Sequence, residues 1–401
     1  CRSVRVVLIH NRYRSGFPGG EDIVVDQEVR LLKSQGVTVE SYFRSNDEMV
    51  EKNPVDVARV LFGIRDSART RRDLSRVIKD FRPDVAHIHN TFPLISPAAY
   101  EVCSMAGVPI VQTLHNYRLS CVAATHFRLR DICQECSPSS FDAAVLHRCY
   151  RGSLPGSWAV ANMLKSSWSK GVFDLVARFL VLTDFAARWL VDHVGVDSRR
   201  VTVKPNFVDI IEKISVPVRE RSGGWVFVGR VSREKGVLEL LEAWRNLPEI
   251  PLVIIGDGPL LAECRRLAEK YNLPVTFTGY LPREQALQHV ANARGLVFPS
   301  QWFEGMPMVL LEASALGTPI VAARVGAAGS LIEHGVTGLL HDSKDSLALA
   351  ELVRLLSTDP HFAQRISDAA RHRVESQFSA EANAAQLLTI YRELATPGCQ
   401  S

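Results

Sequence analysis

The sequence predicts an α/β fold built as two domains, each a parallel sheet covered by helices. Short apolar runs alternate with helical stretches along both halves of the chain, the pattern expected of parallel strands joined by helices. The chain has 401 residues, too many for one ordinary hydrophobic core, so we expect two domains of roughly 200 residues each. Apolar residues make up 46% and charged residues 22% of the sequence, proportions typical of a globular protein.

The first half shows this alternation from its start. An amphipathic helix should follow the loop at 11–20 and end at Gly36, and a second helix should end near Phe81. A third, at 184–194, has Thr183 as its predicted N-cap. The predicted strands lie at 4–10, 37–42, 85–89, 109–114, 179–182 and 201–203. We therefore assign residues 1–205 to an N-terminal Rossmann-like domain with an insert at 118–152.

The second half repeats the rhythm more clearly. Its predicted strands lie at 225–228, 252–255, 275–277, 295–298 and 319–322. A helix should begin at Met308 and end before Gly317. We assign residues 206–380 to a second Rossmann-like domain and residues 381–401 to a C-terminal helical segment.

Charge and hydropathy exclude several classes of protein. The net charge of +4 is mild, and no nucleic-acid partner is expected, because such binders show a clustered basic face. No apolar run approaches the ~20 residues that span a bilayer. The apolar run at 4–9 indicates a strand rather than the apolar part of a signal peptide. The expected location is therefore the cytoplasm.

Two glutamates, with seven residues between them, mark the most informative stretch of the sequence. Glu304 lies in a loop that follows an apolar strand, and Glu312 lies within the first turns of the helix after it. A helix N-terminus presents unpaired N–H groups and partial positive charge, which suit an anionic or hydroxyl-rich ligand. Taken alone, the stretch is equally compatible with a surface loop and one solvated glutamate.

A second motif lies earlier in the same half of the chain. Gly229 and Arg230 follow a strand directly, and Lys235 and Gly236 open the next helix. A diphosphate needs fixed cations and close backbone approach, which arginine, lysine and glycine supply respectively. Such basic residues are more often solvated surface residues, so the motif alone does not establish a binding site.

Together the two motifs resemble retaining nucleotide-sugar glycosyltransferases of family 4, also called glycosyltransferase group 1. The resemblance rests on the run from Phe303 to Glu312 and on the run from Phe227 to Gly236, in the family's order. It covers nearly the whole chain. It implies the GT-B fold, in which two Rossmann-like domains face each other across a cleft and the last helix, here 381–395, crosses back to the first domain.

The resemblance also implies an activity. A sugar, of the hexosyl type, would pass from a UDP- or GDP-sugar to a hydroxyl acceptor with retention of configuration, in polysaccharide, glycolipid or glycoconjugate biosynthesis. Two alternatives stay open: a sugar-nucleotide 2-epimerase of the same fold, and a non-catalytic binding protein. The complete set of Arg230, Lys235, Glu304 and Glu312 argues against loss of activity.

By the same resemblance, four residues are expected to act in catalysis. Arg230 and Lys235 would hold the donor diphosphate, Glu304 the donor-sugar hydroxyls, and His115, which ends a strand, a position near the sugar. Glu312 would bind the ribose. The remaining donor-binding residues implied are Gly19, Gly20, Gly229, Gly256, Asp257, Gly258, Gly305, Met306, Pro307 and Met308. The loop at 326–330 lacks the acid that family members commonly carry there.

No catalytic metal is expected, because cationic side chains and a helix N-terminus take that role in enzymes that this chain resembles. Four cysteines in the insert, however, are compatible with a tetrahedral structural zinc site. They are Cys121, Cys133, Cys136 and Cys149. Ordinary thiols or a redox pair remain alternatives.

The acceptor cannot be deduced from the motifs. Arginines are concentrated in the first half, around 59–76 and around the cysteine insert. One hypothesis is therefore an anionic or lipid-linked acceptor, with peripheral association at the inner face of a membrane. Solvated helix faces are the commoner explanation of such charge.

Overall fold

Two compact units with parallel sheets make up the chain, which confirms the predicted α/β class. The computed structural model describes residues 3–15, 20–49, 63–208 and 216–395. The first unit comprises the described residues up to His126, Gln134–Pro205 and those from Asn383 onward. The second comprises Phe127–Cys133 and Asn206–Ala382. Seven residues of the predicted insert are thus grouped with the second unit.

The first unit contains a six-stranded sheet in the order β2-β1-β3-β4-β7-β8. All five strand pairings are parallel. The strands are β1 (Arg5–Arg12), β2 (Thr38–Ser45), β3 (Val85–Asn90), β4 (Ile110–Leu114), β7 (Val176–Val181) and β8 (Val201–Val203). Its described helices are α1 (Gly20–Ser34), α2 (Ala68–Phe81), α3 (Ala98–Met105), α4 (Asp142–Leu146), α5 (Leu154–Ser169) and α6 (Asp184–Asp192).

The second unit has a sheet in the order β11-β10-β9-β12-β13-β14, again with parallel pairing throughout. Its strands are β9 (Trp225–Val228), β10 (Leu252–Ile255), β11 (Val275–Gly279), β12 (Gly295–Phe298), β13 (Ile320–Ala323) and β14 (Leu339–His341). Its helices are α7 (Val237–Trp244), α8 (Leu261–Lys270), α9 (Arg283–Asn292), α10 (Met308–Ala315), α11 (Gly326–Leu331), α12 (Ser346–Thr358) and α13 (Pro360–Gln377).

The strand order of the second sheet fixes where a ligand can bind. Counted within the unit, the order is 3-2-1-4-5-6, the doubly wound arrangement in which the order of strand addition reverses between strands 1 and 4. These two strands are β9 and β12. The loops that follow them at the carboxyl edge carry both motifs singled out in the sequence.

The final helix, α14 (Ala380–Ala395), belongs mostly to the first unit although it follows the second in the chain. Leu387, Ile390 and Tyr391 are buried in a cluster with Val6 and Leu8 of β1. The apolar residues at helical spacing therefore complete a core whose other buried members lie between Val6 and Leu180, on the other side of the second unit in the chain.

Local sequence explains most of the element boundaries. Thr183 caps α6 as predicted, its hydroxyl accepting from Ala186 N at 3.2 Å. β4 and β13 begin one residue after Pro109 and Pro319, because proline has no N–H to donate to a ladder.

Among the described residues, no helix combines the length and the apolar character that crossing a bilayer requires.

The insert forms some regular structure despite its weak pattern. β5 (Phe127–Arg128) and β6 (Asp131–Ile132) make a small antiparallel hairpin, and α4 follows it. Phe141 and Ala144 are buried here beside Val160 and Leu164 of α5. This satellite cluster orders the segment through packing that helix or strand periodicity does not reveal.

Candidate active site

The loops after β9 and β12 meet at the carboxyl edge of the second sheet. Gln301 N donates to the Glu234 carbonyl at 2.8 Å, so the two loops are tied through their backbones. Gly236 adopts a φ of +71° at the start of α7, and a Cβ there would collide with the Pro299 carbonyl oxygen. The glycine thus permits the close approach of the two loops that carry the predicted catalytic residues.

Glu304 and Lys235 form a pair across these loops. Lys235 Nζ donates to Glu304 Oε1 at 2.5 Å, and the two side chains are 19% and 10% exposed. The same carboxylate oxygen accepts from Ser300 Oγ at 2.8 Å and from Trp302 Nε1 at 2.6 Å. Three donors on one oxygen hold the carboxylate in a fixed position, which is what a preorganised polar site requires.

Lys235 also lies against aromatic surfaces. Its Nζ is 5.4 Å from the Trp302 ring centroid and 5.9 Å from that of Phe298. Such contacts stabilise an ammonium group by about 0.5–2 kcal/mol without using its hydrogen-bond donors. Lys235 therefore retains donors for a ligand anion while its position is fixed.

The N-terminus of α10 follows immediately. Pro307 occupies the N-cap and supplies no side-chain hydrogen bond to the helix. The first N–H groups of α10 are thus suited to an anionic group. Met306 and Pro307 are buried, whereas Gly305 and Met308 are half-buried.

Glu312, on the fifth residue of α10, is held by an arginine. Arg283, the first residue of α9, donates to Glu312 Oε1 from Nε at 2.9 Å and from Nη2 at 2.7 Å. The carboxylate side chain is only 12% exposed. Two N–H groups of one guanidinium thus donate to the same carboxylate oxygen, which fixes the direction of this side chain at the same edge of the sheet.

The glycine-rich loops after β9 and β10 pack against each other. Gly256 has a φ of +141°, and a Cβ at this position would collide with the carbonyl oxygen of Gly229. A Cβ on Gly258 would likewise collide with the Val231 carbonyl oxygen, at 2.4 Å. Asp257 is exposed and its carboxylate accepts from Gly258 N at 2.6 Å. Gly256 and Gly258 are therefore required by loop packing, a reason that the sequence motif alone did not indicate.

Gly229 and Arg230 differ from these glycines. A Cβ on Gly229 would make only an ordinary contact, 3.4 Å from Phe227 Cζ. Arg230 is exposed. Arg230 is therefore available to a ligand, and Gly229 leaves open the space that a side chain would fill, although its N–H already donates to the Ile255 carbonyl at 3.0 Å.

In the first unit, His115 immediately follows β4. Its Nε2 lies 2.9 Å from His89 Nδ1, and the two rings are inclined by 19°. His115 also lines a pocket with Asn116 and Arg118 at the carboxyl ends of β3 and β4. Gly20 begins α1, and Gly19 lies outside the described residues.

Comparison with known proteins identifies the family. The profile described as Glycosyltransferase Family 4 matches residues 18–212, and that described as Glycosyl transferases group 1 matches residues 212–373. The teichuronic acid biosynthesis glycosyltransferase TuaC of Bacillus subtilis, itself named as putative, is 30% identical over 332 residues. This alignment covers 80% of this chain and 75% of that protein. The chain belongs to the group 1 glycosyltransferases.

Other relatives extend over the full length of this glycosyltransferase. O-antigen chain mannosyltransferase C of Escherichia coli is 27% identical over 407 residues, covering 98% of this chain and 99% of the relative. Sucrose-phosphate synthase of Thermosynechococcus elongatus has the same fold, with a TM-score of 0.69 at 21% identity over 98% of this chain and 99% of that one. HepE of Anabaena, solved with UDP and glucose, gives 0.66 at 18% identity over 97% and 100%. The predicted GT-B fold and family are confirmed.

Several contacts in the candidate site were not predicted from the sequence. Ser300 and Trp302 lie within the predicted loop, but nothing in their spacing shows that both donate to Glu304. Arg283 is 29 positions from Glu312, and no local pattern links the two. Only the meeting of separate loops at one sheet edge reveals these partners.

Glu21, in the first turn of α1, is another residue that the motifs did not indicate. Its Oε1 is enclosed and lacks a hydrogen-bond partner among the described residues, and Tyr13 Oη lies 3.3 Å from Oε2. Burial, aided by the charge of Asp22, raises the pKa of Glu21 to about 8. Burial also lowers the pKa of the nearby Arg118.

The four cysteines of the insert are all half-buried. Cys121 Sγ accepts from His126 N at 3.4 Å, while Cys136 and Cys149 pack against the cluster around Phe141. Zinc binding by Cys121, Cys133, Cys136 and Cys149 stays a prediction.

Proposed function

We propose that this glycosyltransferase moves a hexosyl group from a nucleoside-diphosphate sugar to a hydroxyl acceptor, with retention of anomeric configuration. The observation that carries the proposal is the Lys235–Glu304 pair beside the N-terminus of α10. It combines a fixed carboxylate, a cation and unpaired helix N–H groups at the switch point of a doubly wound sheet.

The charges at this edge suit a diphosphate leaving group. Negative charge grows on the diphosphate as the glycosidic bond breaks, and fixed cations lower the energy of that transition state. Lys235 and the α10 N-terminus would supply this charge, with Arg230 as a second cation. Cationic side chains and helix N–H groups can thus act without a catalytic metal in this proposal.

The two glutamates would bind neutral parts of the donor. Glu304 would accept hydrogen bonds from donor-sugar hydroxyls, and Glu312, oriented by Arg283, would accept from the ribose. A front-face path, in which the acceptor enters on the side from which the diphosphate leaves, needs no protein nucleophile. Such a path retains configuration.

UDP-sugars are the first donors to test. Several solved structures of the same fold contain UDP, and one HepE structure contains UDP-glucose. The names of the relatives favour a glycan acceptor, since they refer to teichuronic acid and O-antigen synthesis. An anionic or lipid-linked glycan, used at a membrane surface, remains our hypothesis for the acceptor.

Donor binding is tested by thermal unfolding with UDP, GDP, ADP and dTDP sugars, followed by calorimetry with the best ligand. A ligand at 100 times its dissociation constant should stabilise the native protein by about 2.7 kcal/mol. Lys235→Ala should abolish this shift, because the diphosphate loses a fixed cation. The matched control is Lys270→Ala, which removes an exposed lysine on α8 of the same unit.

Turnover separates transfer from the alternatives. With the donor identified, NMR of the product should show the anomeric configuration of the donor, and Glu304→Gln should lower turnover more than nucleotide affinity. An inverted product contradicts the retaining mechanism, and conversion of the donor to its 2-epimer without acceptor indicates the epimerase. Absence of a shift with every nucleotide sugar would overturn the donor-binding proposal.

A further inference from the structure

A second cluster of polar groups, outside the proposed donor site, lies in the core of the first unit. Glu28, in the middle of α1, has a side chain that is 1% exposed. The Lys204 side chain is also 1% exposed, and its Nζ lies 2.8 Å from Glu28 Oε2. Burying a carboxylate is unfavourable unless it is paired, so this arrangement calls for an explanation.

Two histidines of β3 share the other carboxylate oxygen. His87 Nδ1 and His89 Nε2 each lie 3.2 Å from Glu28 Oε1. These contacts are electrostatic, because neither Glu28 Oε1 nor His89 Nε2 has a partner with hydrogen-bond geometry among the described residues. The carboxylate therefore faces both imidazoles and attracts their N–H groups.

These three side chains could also be considered as metal ligands, because their ligand atoms lie within 4.8 Å of one another. Two observations disfavour a metal. Lys204 already supplies positive charge to Glu28, and both nitrogens of His87 have other partners, Tyr391 Oη at 2.6 Å and Thr113 Oγ1 at 2.8 Å. We therefore interpret the cluster as a network of protein groups alone.

The protonation states of the network follow from its surroundings. Burial acts to raise the pKa of Glu28, but Lys204 and the two histidines hold this pKa well below its ordinary value. Glu28 is therefore an ionised acceptor at neutral pH. Burial lowers the pKa of His89 to about 3 and that of His115 well below 6.5, so both rings are neutral.

A neutral imidazole carries one N–H, which makes the chain of contacts directional. The Glu28 carboxylate favours the proton of His89 on Nε2, and His89 Nδ1 then accepts. The 2.9 Å contact between His89 Nδ1 and His115 Nε2 requires that His115 donate through Nε2–H. His115 Nδ1 is thereby left with a lone pair.

We propose that Glu28 is a positioning residue, which fixes the Nε2–H tautomer of His115 through His89, so that His115 Nδ1 accepts a hydrogen bond from a sugar hydroxyl. The inference rests on the proposed function only for the identity of this ligand. The lone pair on His115 Nδ1 gives the sugar site a preference for a hydroxyl group beside this nitrogen. A uronate carboxylate, which can only accept, would be repelled by the lone pair.

The last helix takes part in the same network. Asn383 Oδ1 accepts from Lys204 Nζ at 3.0 Å, while Asn383 Nδ2 donates to the Pro205 carbonyl at 2.6 Å. Tyr391, from the same helix, bonds to His87. The position of Lys204 against Glu28 therefore depends on α14.

The tautomer can be measured directly by NMR on protein labelled with ¹⁵N-histidine, without any donor or acceptor. Long-range ¹H–¹⁵N spectra distinguish the two neutral tautomers, and the His115 signals are assigned by their loss in His115→Gln. We expect the Nε2–H form for both His115 and His89 in the native enzyme. The Nδ1–H form of His115 would overturn the proposal.

The decisive variant is Glu28→Gln, because an amide can donate as well as accept and no longer dictates the histidine proton. His115 should then show the other tautomer or a mixture. Asp26→Asn, on the same helix but paired with Arg12 at the surface, should leave the spectrum unchanged. Glu28→Gln leaves the buried charge of Lys204 without its partner. If this variant does not fold, the double variant Glu28→Gln with Lys204→Met replaces it, because it removes both charges. An unchanged His115 tautomer in a folded Glu28 variant would contradict the proposed role.

Kinetics supply an independent measurement once a donor is known. Glu28→Gln and His115→Gln should each lower turnover about tenfold, as expected for one lost hydrogen bond to the substrate. The double variant should be no slower than His115→Gln, because both changes remove one interaction. Additive losses would mean that Glu28 does not act through His115. Since the NMR result needs no substrate, failure of the proposed function and failure of this inference are distinguishable.

Discussion

At the scale of single residues, the sequence singles out Lys235 and Glu304 as candidate site residues but does not show that they pair. The motif places each residue on its own loop. Only the fold shows that, without ligand, the lysine satisfies the glutamate at 2.5 Å. A diphosphate bound as proposed would compete for, or share, this lysine, which would couple nucleotide binding to the position of Glu304.

Glu21 provides a pH prediction at the same scale. Its pKa is about 8 in the folded protein and about 4.5 when unfolded, so between these values the native state binds more protons. Its contribution to stability therefore falls as pH rises from about 4.5 to 8. The loss amounts to at most about 1.4 kcal/mol of the free energy of unfolding per pH unit, and Glu21→Gln should remove it. Urea unfolding at a series of pH values from about 5 to 8.5 measures this difference.

The control for this experiment is Asp26→Asn on the same helix. Arg12 lowers the pKa of Asp26, so that carboxylate is ionised in both states throughout this pH range and contributes no slope. The groups that face Glu21 are Tyr13, Asp22, Asn116 and Arg118. Parallel stability profiles of native protein and Glu21→Gln would show that the carboxyl is not held neutral.

At the scale of elements, the sequence predicted strands better than their connections. Strands β8, β9, β10 and β12 have the predicted bounds, because apolar runs between turn residues define a buried parallel strand clearly. β14 has only three residues, Leu339–His341, and lies outside the prediction. Its two leucines form neither an alternating nor a helical pattern, and only the pairing with β13 shows that the segment is a strand.

The glycine loops give an element-scale prediction. Gly256→Ala should destabilise the second unit by at least about 1–3 kcal/mol, because the new Cβ meets the Gly229 carbonyl and φ is +141°. Gly229→Ala should leave the unfolding midpoint nearly unchanged, since its Cβ has ordinary space. Thermal unfolding measures both variants.

Nucleotide titration of Gly229→Ala then tests the close approach proposed at this glycine. Weaker binding with unchanged stability would support a contact between the Gly229 backbone and the diphosphate. Unchanged affinity would show that this glycine serves neither the loop nor the donor.

At the scale of the whole molecule, the class of fold and the existence of two sheets follow from sequence, whereas the long-range partners do not. Glu28 and Lys204 are separated by 176 positions, and His87 and Tyr391 by 304. Each of these residues looks unremarkable in its local stretch. The topology of the first sheet and the return of α14 bring them together.

The return of α14 leads to a prediction about stability. Leu387→Ala removes a fully buried side chain from the cluster that contains Val6 and Leu8, which should cost about 2–5 kcal/mol. Hydrogen exchange should accelerate in peptides from β1 and β3, while peptides from β9 and β10 keep their protection. Thr389→Ala, on the exposed face of the same helix, should change neither region. Equal acceleration in both sheets would show that α14 does not stabilise the first unit selectively.

The same helix also constrains how the chain is made. Leu8 and Leu387 occupy one core but are 379 positions apart. At ribosomal rates of about 5–20 residues per second, on the order of 20–80 s pass between their synthesis. During this time the N-terminal segment that contains Leu8 keeps part of its apolar surface exposed, while the residues of the second sheet are synthesised and can fold. Nascent chains of this enzyme should therefore depend on chaperones longest at their N-terminal end.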